Sequence, residues 1–309
     1  MKTSVAFLIF NRPDTTEQVF AAIRQAKPPK LLVVADGPRV ERPGEAEKCE
    51  ATREIIKRVD WDCELLTNYS DINLGCKQRV SSGLDWVFAN VEEAIILEDD
   101  CLPHLTFFQF CEELLNKYKN DERILMISGT NMLKKWKIDR QSYHFSYYGG
   151  IWGWASWRRA WDHYDVEMKL WSEPEVRKRI RDVLCDLKQY YNREKAFDNV
   201  YSGKIDTWDY QWSFARLSQS GLSVVPSANL IANIGFSQEA THTINPFDKN
   251  ANLSKHPMFF PLKEPLGVAV DREYDYNFYL RTKEPIDSKI KLFQLYNNLK
   301  KLFVRPQNN

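Results

Sequence analysis

The chain has 309 residues, of which 43% are hydrophobic and 28% are charged, and its formal net charge is +1. This near-neutral balance creates no overall field for nucleic acid, and no stretch approaches the ~20 apolar residues of a membrane span. The six cysteines are scattered without a CxxC pair, which argues against zinc and is typical of reduced thiols in a cytoplasm.

Strands and helices alternate through the first half of the chain. Apolar, β-branched runs predict buried strands, and amphipathic stretches bounded by turn residues predict the helices between them. The predicted strands are 4–10, 31–35, 63–66, 94–97 and 124–129, and the predicted helices are 13–26, 45–59, 77–89 and 105–118. This alternation predicts an α/β fold with a mostly parallel, Rossmann-like central sheet flanked by helices.

Three consecutive acids follow the fourth predicted strand. Glu98, Asp99 and Asp100 come directly after the apolar run 94–97, which places them at the end of a buried strand. Carboxylates at such a position repel each other and lose hydration, so they need a cation or hydrogen-bond donors. Hard oxygen ligands in this arrangement suit Mg²⁺ or Mn²⁺, which bind one or two carboxylates and the phosphates of a substrate. The alternative interpretation of these three acids is a solvated turn that follows the strand.

Polar residues also follow the first two predicted strands. Asn11 and Arg12 come after the strand at 4–10, and Asp36 comes after the strand at 31–35. Ligands of parallel α/β sheets bind beyond the carboxyl ends of the strands. We therefore expect these residues and the acidic triplet to lie at one rim of the sheet.

The second half of the chain is rich in aromatic residues and glycine, most densely at 147–154. Its pattern predicts a helix at 155–163, helical structure over 173–201, a helix with Thr207 as its N-cap, and a strand at 223–226. Because no linker composition separates the halves, we expect one domain with two lobes. The predicted parts are a first lobe at 1–130, a second lobe at 131–260, and a C-terminal extension at 261–309.

The order of these motifs resembles the glycosyltransferases of the GT-A fold, and in particular the N-acetylglucosaminyltransferase I family and related family-2-like bacterial enzymes. The resemblance extends over about 4–245 and includes Trp208-Asp209-Tyr210-Gln211-Trp212, which is similar to that family's Trp-Asp-Asp-Trp segment. It implies that 1–130 is a nucleotide-sugar-binding lobe and that 131–260 is an acceptor-binding and catalytic lobe. It also implies that Asp100 is the metal ligand of the acidic motif. It also implies a nucleotide- and donor-binding site that contains Phe10, Asn11, Arg12, Asp36, Lys77, Arg79, Glu98 and Asp99.

The same resemblance implies that Asp209 is the general base of an inverting transfer. Such a transfer needs a carboxylate on the face of the sugar opposite the leaving group, and Asp206 is the rival candidate. His242 is expected to complete the metal shell or to touch the diphosphate. The residues expected to contact the acceptor or the donor sugar are Gly150, Trp152, Trp154 and Trp208.

Each of these residues also has a plain structural interpretation. Arg12, Lys77 and Arg79 can be solvated surface charges, Asp36 can form a turn, and the tryptophans can simply be core. Asp209 can interact with the dipole of its helix, and His242 can be solvated in a polar loop.

The last predicted element is a basic amphipathic helix at 289–305, in which apolar residues recur near helical spacing. Such a helix can bind an anionic membrane surface, or pack on its own domain or on a second copy of the chain as a homodimer. We therefore expect a cytoplasmic protein that can lie peripherally on the inner face of the plasma membrane.

These features together predict a metal-dependent, inverting glycosyltransferase that uses Mn²⁺ or Mg²⁺. The expected donor is a nucleotide-diphosphate sugar, with UDP-N-acetylglucosamine the first to test, and the expected acceptor is a glycan or a lipid-linked saccharide. One rival is a nucleotidyltransferase acting on sugar phosphates, which usually has a Gly-rich basic loop where this chain has Phe10-Asn11-Arg12-Pro13. The other is a non-catalytic carbohydrate-binding protein, which has no need of the acidic triplet.

Overall fold

An eight-stranded sheet lies at the centre of the computed structural model, which describes residues 1–236 and 253–282. The strands are β1 Ser4–Ile9, β2 Lys30–Ala35, β3 Glu64–Tyr69, β4 Glu93–Glu98, β5 Cys101–Pro103, β6 Ile124–Ser128, β7 Tyr143–Ser146, β8 Trp154–Trp157, β9 Leu222–Pro226 and β10 Ile231–Asn233. The helices are α1 Pro13–Ala26, α2 Glu45–Ile56, α3 Gly75–Asn90, α4 Thr106–Tyr118, α5 Arg158–Trp161, α6 Pro174–Leu184, α7 Leu187–Tyr201, α8 Asp209–Ser218 and α9 Arg272–Thr282, with a short 3-10 helix at Lys169–Ser172.

The strand order in the large sheet is β3-β2-β1-β4-β8-β6-β9-β7. Six of its strands run in one direction, and β8 and β7 run antiparallel to their neighbours. The strands β5 and β10 form a separate antiparallel pair. This arrangement confirms the predicted α/β fold with a mostly parallel central sheet.

Side chains of β1 alternate between the two faces of the sheet. Val5, Phe7 and Ile9 pack in a cluster with residues of α1, α2 and α4. Ala6 and Leu8 pack in a second cluster with residues of α3, α5 and α8. A strand covered on both faces by helices is apolar at every position, which is why the continuous apolar runs of this chain predict buried parallel strands.

The packing crosses the predicted boundary between the lobes. Both of these clusters contain residues from before and after residue 130, whereas a third cluster is built entirely from later residues, from Tyr148 to Phe278. The division into lobes stays a prediction.

The predicted helix at 155–163 is wrong at its first three residues. Residues 154–157 form β8, which pairs with β4 on one side and with β6 on the other, and only Arg158–Trp161 is helical. Insertion between two central strands buries all four residues of β8, and this long-range pairing overrides the local pattern.

Other boundaries also differ from the sequence pattern. The helical stretch at 173–201 is interrupted at Cys185, where φ is 56°. Thr207 is not the N-cap, because α8 starts after Trp208 and the Thr207 hydroxyl instead donates a hydrogen bond to the Asp209 carboxylate. The short strands β5, β7 and β10 were not predicted.

Within the described ranges 1–236 and 253–282, no helix is both long and apolar enough to cross a bilayer. His242 and the predicted basic helix at 289–305 lie outside the described residues.

Candidate active site

The register of the sheet brings three strand ends together. Leu8 of β1 lies opposite Glu98 of β4, and Ile9 lies opposite Ala35 of β2. A cavity of about 430 Å³ opens at this rim. The predicted site residues that line it are Phe10, Arg12, Asp36, Arg79, Glu98, Asp99, Asp100, Trp152, Trp208 and Asp209.

The carboxyl groups of the acidic triplet lie close together and two of them are strongly desolvated, which disfavours their charged forms. Asp99 is buried and accepts a hydrogen bond from the backbone N–H of Phe10 at 3.0 Å. Burial and then the charge of Asp100 raise the pKa of Asp99 to about 7. Burial is also the largest cause that raises the pKa of Glu98 well above its usual value, followed by the charges of Asp100, Asp99 and Asp209.

Arg12 is the cation that lies against this triplet in the described structure. Its Nη1 donates to Oδ2 of Asp100 at 2.9 Å, and the two side chains are 23% and 14% exposed. The other Asp100 oxygen, Oδ1, faces the Cys101 thiol at 3.4 Å, which is a weak donor. One Asp100 oxygen is therefore poorly satisfied and is open to a stronger partner.

The donor set fits a divalent cation that also uses ligands from a substrate. Among the described residues, no three His, Cys, Asp or Glu side chains form a group that could hold a metal by themselves. Mg²⁺ usually takes only one or two protein carboxylates and completes its shell with waters and substrate phosphates. Asp100, with one poorly satisfied oxygen beside two further acids, meets that requirement.

The chain after β10 closes over the Arg12–Asp100 pair. The Ile234 N–H donates to the Asp100 carbonyl oxygen at 2.8 Å. A Cβ placed on Gly235 would overlap Asp100 Oδ2 and lie 2.8 Å from an Arg12 guanidinium nitrogen. Glycine is needed here because any side chain would displace the ion pair. Sequence reasoning missed Gly235, since nothing near it in the chain indicates that it meets Asp100.

Asp36 has a fully occupied carboxylate. Its two oxygens accept hydrogen bonds from the N–H groups of Gly37, Leu74 and Gly75 and from the Asn73 side chain, at 2.9 to 3.1 Å. These bonds join the end of β2 to the start of α3. The observed contacts are those of a loop-fixing residue at the edge of the cavity.

The predicted basic and amide residues differ in their placement. Arg79 is buried and donates to the Ala35 carbonyl at 3.1 Å and to Oδ1 of Asn68 at 2.8 Å, and burial lowers its pKa. Lys77 forms an ion pair with Glu167 at 3.3 Å, and Asn11 donates to Glu45 at 2.9 Å. Neither Lys77 nor Asn11 lines the cavity.

The aromatic residues divide between the core and the cavity. Trp154 is fully buried and lies in neither cavity, and its ring stacks on that of Trp208 at 5.9 Å. Trp208 is 2% exposed, so only its edge contributes to the cavity wall. Trp152 is partly exposed and packs edge-on against Phe236 at 5.7 Å.

Asp209 lies at the junction between the first cavity and a second one, on the wall that the two cavities share. The second cavity measures about 440 Å³, and Gly150 is part of its wall. Ile151, Trp152 and Asp209 line both cavities, whereas Asp206 lines only the first. Asp209 is the first residue of α8, so the helix start fixes its carboxylate at the junction.

Several further residues of the first cavity were not predicted, among them Arg39, Asn73 and Asn233. Arg39 lies over the Phe10 ring at 5.6 Å and forms an ion pair with Glu45, while Asn73 and Asn233 contribute amide groups to the wall. Arg39 follows Asp36-Gly37-Pro38, so its position just after a strand end was the available signal.

The chain matches no family model and no curated protein. Solved structures with some similarity include 4-diphosphocytidyl-2C-methyl-D-erythritol synthase from Anaerococcus prevotii DSM 20548, at 11% identity and a TM-score of 0.36, with 56% of this chain and 78% of that chain covered. Mouse xyloside xylosyltransferase 1 matches at 8% identity and a TM-score of 0.33, covering 70% and 81%. An apo UDP-glucose pyrophosphorylase matches at 8% identity and a TM-score of 0.34, covering 74% and 93%. Similarity this distant carries no argument about function, which has to be derived from the site.

Proposed function

We propose that this protein is an inverting glycosyltransferase that moves a sugar from a nucleotide-diphosphate sugar to a hydroxyl group of a saccharide. The observation that carries the proposal is the placement of Asp209 at the junction of two cavities, one of which contains the acidic triplet and Arg12. A transferase with two substrates needs such a carboxylate between its donor and acceptor sites.

The first cavity suits the donor. Arg12 provides a guanidinium group for phosphate oxygens, and Asp100 lies beside it. The proposed cofactor is Mn²⁺ or Mg²⁺, which Asp100 would hold and which would stabilise the charge of the departing nucleoside diphosphate. Glu98 and Asp99 lie on the same wall and are proposed to accept hydrogen bonds from donor hydroxyl groups.

The transfer step follows from the position of Asp209. Its carboxylate removes the proton of the acceptor hydroxyl, and the hydroxyl oxygen forms a bond to the anomeric carbon of the donor sugar. The bond from that carbon to the diphosphate breaks on the opposite side. The anomeric configuration is therefore inverted, and the Asp209 carboxyl group holds the proton at the end of the step.

The proposed donor is UDP-N-acetylglucosamine, and the proposed acceptor is a growing surface glycan or a lipid-linked saccharide. The proposed contact with an anionic membrane depends on residues 289–305, which are outside the described ranges.

The proposal predicts which products the purified protein releases. With a panel of nucleotide sugars, we expect one donor to raise the thermal stability of the protein more strongly with Mn²⁺ than without it, because a ligand that binds only the folded state stabilises it.

With that donor and an acceptor mixture, chromatography should detect a free nucleoside diphosphate. Pyrophosphate formed from a nucleoside triphosphate and a sugar phosphate would instead show a nucleotidyltransferase. Saccharide binding without nucleotide binding would show a carbohydrate-binding protein.

Gly235→Ala is expected to lower turnover by about 10²-fold, since shifts of about 1 Å in a reacting constellation have effects of that size. The added methyl group must displace Asp100 or Arg12, because both side chains occupy the space that it would need. Gly267→Ala is the matched control, because a Cβ there meets nothing within 4 Å. Steady-state turnover is measured for both, with the circular dichroism spectrum as a check on folding. Equal turnover in the two variants would show that the ion pair beside Gly235 is not part of the site.

A further inference from the structure

The second cavity has a basic wall. Arg193 and Lys195 of α7 and Arg216 of α8 line it, and Asp209 at its junction with the first cavity is the one acid among its lining residues in the described part of the chain. Neutral saccharides are bound through hydroxyl groups and need no such excess of positive charge. The charge of the wall therefore points to a ligand that carries negative charge.

Arg216 is an unusual buried cation. It is 2% exposed, its Nη1 donates to the Ser223 hydroxyl, and its Nε has no hydrogen-bond partner in the described ranges. None of the ion pairs between described residues includes it. Burial, together with the nearby charge of Arg193, lowers the pKa of Arg216 to about 9. A buried charge without a carboxylate partner destabilises a fold, so its presence calls for a ligand that neutralises it.

Arg193 is the second cation on this wall. Its guanidinium lies over the Tyr148 ring at 4.8 Å, and among described residues it forms no ion pair with a carboxylate. The Tyr148 hydroxyl donates to Gln189 at 2.6 Å and also forms a hydrogen bond with Arg193, so the tyrosine offers Arg193 a ring face and a neutral oxygen but no negative charge. Two guanidinium groups that repel each other across one cavity form a preorganised anion site.

We propose that the second cavity binds an anionic group, a carboxylate or a phosphate, of the acceptor saccharide between Arg193 and Arg216. Held there, the acceptor presents a hydroxyl group to Asp209 at the junction of the cavities. The assignment of the ligand as an acceptor rests on the proposed function, whereas binding of the anionic saccharide itself does not.

The test uses three small saccharides in a ligand-observed NMR titration of the full chain at low salt. Methyl glucuronide carries a carboxylate, glucose 6-phosphate carries a phosphate, and methyl glucoside is the neutral control. We expect one anionic saccharide to bind about tenfold or more tightly than the glucoside. The free energy of one hydrogen bond to a charged group corresponds to a change in affinity of about that size. The anion that binds identifies which of the two chemistries the cavity prefers.

Two arginine variants separate ligand binding from packing. Arg193→Gln should weaken binding of the anionic saccharide about tenfold or more and leave binding of methyl glucoside unchanged. Arg179→Gln is the matched control, because Arg179 is exposed on α6 and lines neither cavity. Arg216→Met keeps the length of the side chain and removes the buried charge, so it should lose anion binding without a lower melting temperature.

Equal affinity for charged and neutral saccharides, or an Arg193→Gln variant that binds as well as Arg179→Gln, would overturn the anion site. The affinity of the same preparations for the donor nucleotide sugar keeps this result separate from the proposed function. Anion binding without donor binding would contradict the proposed transferase and support the anion site. Donor binding without a preference for anionic saccharides would contradict the anion site and remain consistent with the transferase.

Discussion

Asp209→Asn is expected to bind the donor with nearly unchanged affinity and to turn it over more slowly by a factor on the order of 10² or more, the typical contribution of a positioned base. Asparagine has nearly the same shape as aspartate but cannot accept the proton of the acceptor hydroxyl. Its side-chain oxygen can still accept the hydrogen bond that Asp209 receives from Thr207. Loss of a favourable charge at the start of α8 changes stability by at most ~1 kcal/mol, so unfolding does not imitate this effect.

The comparison variant is Asp206→Asn, because Asp206 lines the first cavity without reaching the second. Steady-state turnover and a donor titration are carried out on each preparation. A large loss of turnover in Asp206→Asn, together with normal turnover in Asp209→Asn, would move the base to Asp206. A product that retains the anomeric configuration of the donor would contradict the single displacement whichever variant is impaired.

Asp100→Asn is expected to lower turnover by about 10³-fold or more, because a bound divalent cation supplies several kcal/mol of charge stabilisation. A neutral amide is a much weaker ligand for a hard cation. The substitution also releases Arg12 from its ion pair, so the part of nucleotide binding that does not depend on metal should persist or become stronger. The readout is therefore the increase in donor affinity that Mn²⁺ produces, which should disappear.

Asp121→Asn is the matched control for this variant. Asp121 forms an ion pair with Arg123 at 2.7 Å on the surface between α4 and β6, so the control also removes a carboxylate from an arginine pair. It should keep the full effect of Mn²⁺ on donor affinity. If Asp100→Asn keeps that effect as well, the metal is held elsewhere and the role proposed for Asp100 is wrong.

The strand ends of the first half were predictable because their signal is local. Residues 94–97 are apolar at every position, and a strand covered on both faces requires that pattern. Parallel neighbours then place the residues after each strand at one rim, so Arg12, Asp36 and Asp100 meet although 88 residues separate the first from the last. The apolar pattern of each strand, together with the alignment of the carboxyl ends of parallel strands, was therefore sufficient to predict that these residues lie at one rim.

Trp154 shows where a local pattern is insufficient. Residues 154–163 begin with Trp-Ala-Ser-Trp, which has no strong turn signal before the helix α5, and the strand β8 exists because β4 and β6 pair with it. That pairing buries Trp154 among Trp161, Trp208 and Trp212. An aromatic residue near glycines reads equally well as a sugar contact or as core until its neighbours are known.

The second cavity and Gly235 depend on contacts between distant parts of the chain. Arg193 and Arg216 belong to different helices, and each looks in sequence like an ordinary helical arginine. Their common cavity, the burial of Arg216 and the absence of a carboxylate partner in the described residues exist only in the folded chain. The close approach of Gly235 to Asp100 is likewise set by the pairing of β10 with β5.

The most direct measurement is a single titration series with the donor that the thermal screen selects. Wild type, Asp100→Asn and Asp209→Asn are each titrated with the donor by calorimetry, with Mn²⁺ and without it. A site with separate donor-binding and acceptor-activating residues predicts that Asp209→Asn behaves like wild type, while Asp100→Asn loses the effect of Mn²⁺. Wild-type protein whose donor affinity is the same with and without Mn²⁺, or an Asp209→Asn variant that loses donor affinity, would contradict the proposed metal-dependent transferase.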